Sequence, residues 1–139
     1  MSTATAIQVA ITFVWLGMVL AISFLEAPLK FRAPQVTLQI GLGIGRLVFR
    51  ALNTVELVFA AGIVLAALVS RPSVAATAAS SVAVAALAVQ LLVVRPRLHR
   101  RSDEVLAGRV GPRSRGHYVY VGLELVKVVA LLVAGVCLL

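Results

Sequence analysis

The sequence predicts an all-α integral membrane four-helix bundle, and three observations carry that prediction. Of 139 residues, 61% are hydrophobic and 13% are charged, against roughly 45–50% apolar and about 25% charged in a soluble domain. Four apolar stretches of about 20 residues account for more than half of the chain, and ~20 residues of helix cross a hydrocarbon core of ~30 Å. Basic side chains collect between these stretches. A soluble globular domain is excluded, and the net charge of +8 reads as loop placement rather than as affinity for nucleic acid. The mean hydropathy of +1.05 agrees.

The first span reads from about Ala6 to Leu25. No Lys or Arg stands ahead of it and no small-x-small cleavage site precedes Ser23-Phe24-Leu25-Glu26, so an uncleaved helix is expected. In the loop that follows, Pro28 and Pro34 bracket a short basic stretch, and apolar residues then alternate with Gly41, Gly43 and Gly45. The second span runs from about Arg50 to Val69. A helix begun at Val36 would be roughly 50 Å long, longer than the core, so an interfacial or bent extension is expected before this span. The glycine run lacks the strand and βαβ context of a nucleotide loop. Ser70-Arg71-Pro72-Ser73 predicts a tight turn, which makes spans two and three an antiparallel hairpin. The third span runs from about Val74 to Val94 and is expected to stop at Arg95-Pro96; the fourth runs from about His117 to Leu139. All four form a single domain.

Basic residues flanking a span are retained on the cytoplasmic side. Lys30, Arg32, Arg46 and Arg50 belong to the first loop, Arg95, Arg97, Arg100, Arg101, Arg109, Arg113 and Arg115 to the third, and only Arg71 to the opposite side. Eleven against one predicts cytoplasmic first and third loops, both termini outside, and residence in the cell (inner) membrane. The arginines around His99 are expected to be solvated and to meet anionic lipid headgroups. Cys137 is the one cysteine, which excludes a disulfide or multi-thiolate site within one protomer.

Charged residues inside a span cost ~2.5–3.5 kcal/mol each on insertion scales, so those present must face one another. Glu26, Asn53, Glu56, Gln90, His117, Glu124 and Lys127 all fall in the cytoplasmic half or near the midplane, with the outer halves almost wholly apolar. Helical spacing places His117, Tyr120, Glu124 and Lys127 on one stripe and Arg46, Arg50, Asn53 and Glu56 on another. Packed inward, the stripes would form a polar pocket open to the cytoplasm. Three readings follow. In one, the pocket binds a polar or cationic species or relays protons, with Arg46 and Arg50 available to an anionic ligand. In another, Glu124 and Lys127 neutralise each other one turn apart while Glu56 pairs with an arginine of the first loop. In the third, these residues form an interface with a partner protein. His117, beside Tyr118 and Tyr120, is first an interfacial residue; the sequence has neither Glu-x-x-His nor His-x-x-x-His there, and no cofactor or metal is assigned. Gly17/Ala21, Gly62/Ala66 and Ala75/Ala79/Ala83 recur at four-residue spacing, which predicts close helix approach. Trp15, in mid-span, is expected against a helix or against lipid. So small a bundle is expected to complete its pocket with a second protomer.

Two resemblances arise at these residues. Trp15-Leu16-Gly17 followed by Glu26-Ala27-Pro28-Leu29-Lys30-Phe31 resembles the W-x-G and A-P-x-x-F pattern of small four-helix bacterial membrane proteins of the CopD-like and unknown-function groups. That resemblance implies a four-helix bundle and, for some members, metal or small-solute handling. Arg50-Ala51-Leu52-Asn53-Thr54-Val55-Glu56 is similar to the R-A-x-x-N-x-x-E of the membrane-associated eicosanoid and glutathione metabolism family, which uses it for glutathione. Here Arg and Asn stand one position closer, which rotates Arg50 by about 100°. The expectation is therefore a small-solute or cation transporter, or a membrane-embedded binding subunit. A glutathione-dependent transferase-like enzyme and a structural or assembly subunit of a membrane complex are the alternatives.

Overall fold

A computed structural model describes residues 1–108 and 115–139, side chains at 115–117 excepted. Those residues form four long helices: α1 (Thr3–Lys30), α2 (Leu38–Ser70), α3 (Val74–Leu106) and α4 (Arg115–Leu138). No strand occurs among the described residues. Each helix contains a segment long and apolar enough to cross a membrane.

Hydroxyl side chains start three of the helices. Ser2, Thr37 and Ser73 accept from the amides of Thr5, Ile40 and Ala76 at 3.1, 3.2 and 3.2 Å, which satisfies donors that a helix N-terminus leaves unpaired. Ala33-Pro34-Gln35-Val36 closes a turn in which the Val36 amide donates to the Ala33 carbonyl at 3.2 Å. Pro34 suits its second position, and Gln35 takes the positive φ of 69° that glycine usually supplies there. Arg71, at φ 48°, ends α2 in the left-handed conformation typical of helix stops.

The helices run beyond the predicted spans. α2 is one unbroken α-helix from Leu38 to Ser70, so the extension expected before the second span is continuous with it. A side chain at Gly41 would lie 2.1 Å from the Phe31 ring and one at Gly45 2.9 Å from the Lys30 ammonium. The two glycines therefore form the groove in which the end of α1 rests on α2. Nor does α3 stop at Arg95-Pro96. Proline removes one amide donor and crowds the carbonyl four residues back. In α3 that carbonyl belongs to Leu92, inside a π-helical turn over Gln90–Val94, and the widened turn lets the helix run on through Arg95–Leu106. α1 uses the same device: Pro28 follows a π-helical turn over Leu20–Glu26. The amides of Ala27 and Arg95 donate five residues back, to Ile22 and Gln90.

α1 packs along α2 and α4, and α3 along α4. α2 and α3 touch much less, although Arg71–Ser73 joins them, and α2 and α4 lie across the bundle from each other. The apolar core gathers Trp15, Leu16 and Val19 with Ala60, Ile63, Ala83, Leu87, Ala130 and Leu131. A Cβ at Gly62 would lie 2.9 Å from Ile11, and one at Gly135 2.5 Å from Phe13, so these two glycines admit α1. The expected small-residue pattern is otherwise corrected. Gly17 has nothing within 4 Å of such a Cβ, Ala21 and Ala75 are exposed, and α3 buries Ala83 as expected but with Ala76, Ser80, Leu87 and Gln90 in place of Ala75. Exposed Val, Leu and Ile dominate the outer surface, as a lipid-facing bundle requires.

The bundle thus has a terminal end, where the Ser70 hydroxyl donates to Gln8 at 2.9 Å, and a basic end. At the basic end the extensions of α2 and α3 meet, Arg46 donating to the His99 carbonyl at 3.1 Å and forming an ion pair with Asp103.

Candidate functional site

A polar network fills the bundle interior between these ends, and all four helices contribute to it. Lys127 of α4 places its ammonium 2.5 Å from Oε2 of Glu56 on α2 and 2.5 Å from Oε1 of Glu124 one turn back. From α1, the Trp15 indole N–H donates to Glu56 Oε2 at 2.7 Å and the Ser23 hydroxyl to Glu124 Oε2 at 2.5 Å. From α3, the Gln90 amide donates to Glu124 Oε1 at 2.7 Å and more weakly to the Tyr120 carbonyl at 3.3 Å. Trp15, Glu56, Gln90 and Lys127 are fully buried and Glu124 is 1% exposed. Buried charges of this kind survive only when paired and hydrogen-bonded.

Local sequence explains how each group arrives. Glu124 and Lys127 stand three apart on one α4 face, and Asn53 and Glu56 three apart on one α2 face. Ser23 and Gln90 both lie in the π-helical turns that precede Pro28 and Pro96. The prolines thus shape the two segments that hold Glu124 from opposite sides. π-turns inside α-helices are frequent at functional sites.

The predicted residues divide accordingly. Glu56, Glu124 and Lys127 converge. Asn53 is buried with its side chain against the Tyr120 hydroxyl, and its Oδ1 has no hydrogen-bond partner. The Tyr120 ring meets Phe49 edge-on, 5.9 Å between centroids. Glu26 stays outside the network, 3.9 Å from Lys30 on its own helix. Arg46 is engaged by Asp103, and Arg50 is exposed while Asn53 and Glu56 are buried. Arg50 thus lies on a different face of α2 from Asn53 and Glu56. The expectation that Glu56 pairs with a first-loop arginine is corrected: its partners are Lys127 and Trp15, because Glu56 points to the bundle centre. The side chain of His117 lies outside the described residues, as do Arg109 and Arg113 and the side chain of Arg115. His99 is exposed, 3.8 Å from Asp103. Among the described residues no cluster of His, Cys, Asp or Glu is arranged to hold a metal ion.

Sequence reasoning gave Trp15 and Ser23 no place in the site. Trp15 counts as apolar in any hydropathy reading, and its polar N–H is the only signal. The half toward the termini is also less apolar than expected, since Gln8, Thr12 and Ser80 are buried there.

Among the atoms without partners, Glu56 Oε1, Asn53 Oδ1 and Gln90 Oε1 belong to this region, and each is an oxygen. A shallow groove between α3 and α4, lined by Ala79, Val82, Val129 and Val133 among others, is by contrast wholly apolar. No family model, no curated protein and no solved structure matches this chain.

Proposed function

We propose that the chain is a multi-pass protein of the cell membrane, its basic end in the cytoplasm and both termini outside, and that it transports a small cation or a small solute coupled to one. The observation that carries this reading is the Glu56–Lys127–Glu124 cluster: two carboxylates and one ammonium, fully buried or nearly so, in mid-bundle. Intramembrane ionisable groups are costly and default to ion or proton pathways. With both acids ionised the cluster carries one negative charge in excess, and its unpartnered atoms are oxygens, which suits a cationic rather than an anionic occupant. Buried polar residues continue from the cluster along α1 to Thr12 and Gln8, which meets the half-buried Ser70. A route across the bundle therefore has polar groups in both halves.

The test is flux in proteoliposomes of the purified chain, followed with entrapped dyes for protons, sodium and potassium under imposed gradients. Protein-dependent movement of one of these ions, reduced at least tenfold in Glu124→Gln, is the expected result. Flux no greater than in empty vesicles for all three, with no small molecule copurifying, would reduce the cluster to a structural tie between helices.

A further inference from the structure

Donor counting separates the two carboxylates of the cluster. Glu124 is filled on both oxygens, Oε1 by Gln90 and Lys127 and Oε2 by Ser23. Glu56 is filled on one only: Oε2 takes both Trp15 and Lys127, and Oε1 has no partner. A proton added to Glu124 would displace a donor already in place or turn the Ser23 hydroxyl around. One added to Glu56 Oε1 displaces nothing.

Resting on the transport reading above, we propose that the coupling cation is the proton and that Glu56 is the residue that carries it, on Oε1. The proton comes from a hydronium ion, leaving water, and returns to water on release; no other bond is made or broken. The trio is neutral with the proton in place and singly negative without it, and a water-poor surround favours the neutral form. Among the described residues, the charged and titratable groups that face Glu56 are Lys127, Glu124 and Tyr120, all from α4, and Arg95 of α3 acts on Tyr120. α1 presents Trp15, and no charged group of α3 bonds to Glu56. Access runs toward the basic end. Asn53 is one turn from Glu56 in that direction, its Oδ1 is unpartnered, and the Tyr120 hydroxyl lies against its side chain. Buried oxygens of this kind are ordinarily met by water, and water bridging Asn53 and Tyr120 would lead the proton to Glu56.

Infrared difference spectroscopy of the protein in nanodiscs, acid minus alkaline, reads carboxyl protonation directly. The chain has five acidic side chains, so Glu26→Gln, Asp103→Asn and Glu104→Gln together leave Glu56 and Glu124 as the only side-chain carboxyls. Single variants compared by subtraction in the natural chain serve if that background does not fold. The expected result is a deuterium-sensitive carboxylic C=O band that disappears in Glu56→Gln and shifts in frequency in Glu56→Asp but not in Glu124→Asp; in Glu124→Gln, where Lys127 alone neutralises an ionised Glu56, the band moves to lower pH at the same frequency. Asn53→Ala should shift the band as well. A band that follows Glu124 or responds to Ser23→Ala instead, or no such band in the folded protein, overturns the assignment. The outcomes are separable from transport: a band on Glu56 without flux leaves the assignment standing and the transport reading fallen, whereas flux with a band on Glu124 does the reverse.

Discussion

Lys127 is the residue on which the interior depends, because a single ammonium offsets two buried carboxylates that come from helices on opposite sides of the bundle. Removing one partner of a buried ion pair costs ~3–5 kcal/mol, whereas replacing the whole group with neutral residues is often close to harmless. Lys127→Met is therefore expected to lose about 3–5 kcal/mol in reversible unfolding from mixed micelles. Adding Glu56→Gln and Glu124→Gln to it should recover more than half of that loss; a triple variant as unstable as the single one would show that packing, not charge, sets the cost. The three charged members were legible in the sequence because an ionisable side chain in an apolar span is expensive and must find company. Their neutral donors were not. Trp15 and Ser23 carry no such penalty, and Ser23 reaches Glu124 only because a π-helical turn aims it there, a turn that hydropathy does not encode.

At the scale of helices, apolar length located all four spans but not their ends, since a proline read as a stop is tolerated where the preceding turn widens. Close approach was legible in part. Gly135 and Gly122 both lie on α4, yet a Cβ at Gly135 would sit 2.5 Å from the Phe13 ring while one at Gly122 would meet nothing within 4 Å. Gly135→Ala is expected to destabilise by ~1–3 kcal/mol through overpacking against α1. Gly122→Ala should stabilise by up to ~1 kcal/mol, because glycine weakens a helix interior. Thermal unfolding of the two variants should thus shift in opposite directions, and shifts of the same sign would contradict the packing of α1 on α4. The helical extensions supply a second test. Arg46 of α2 holds the Asp103 carboxyl below the usual aspartate range, mainly through its hydrogen bond. A group whose folded pKa is depressed stabilises above its unfolded pKa and stops doing so as pH falls through the folded value. The protection of the α3 extension in hydrogen exchange should therefore hold at neutral pH and weaken below the normal aspartate range, and Asp103→Asn should abolish that pH dependence. The group is exposed, so salt should weaken the effect too.

For the molecule as a whole, the charge asymmetry read from the loops acquires a shape. Arg32, Arg50, Arg97 and Arg100 are exposed at the end where α2 and α3 project past their apolar segments, and Arg71 is exposed at the other. The Arg95–Leu106 extension alone reaches about 18 Å at 1.5 Å per residue, so its arginines lie well within the distance from a span over which basic residues fix orientation. Each is also worth ~1 kcal/mol near an anionic cytoplasmic leaflet. Inverting the bundle would carry that whole basic end across the membrane in exchange for one arginine, and the orientation is accordingly predicted with both termini outside. Thr3 and Gln39 are exposed near opposite ends and are suited to test it, each replaced by cysteine in a Cys137→Ala background. An impermeant maleimide applied to intact cells should label Thr3→Cys, and Gln39→Cys only after lysis. Labelling of Gln39→Cys in intact cells would invert the topology and, with it, the side from which Asn53 and Tyr120 admit protons to Glu56.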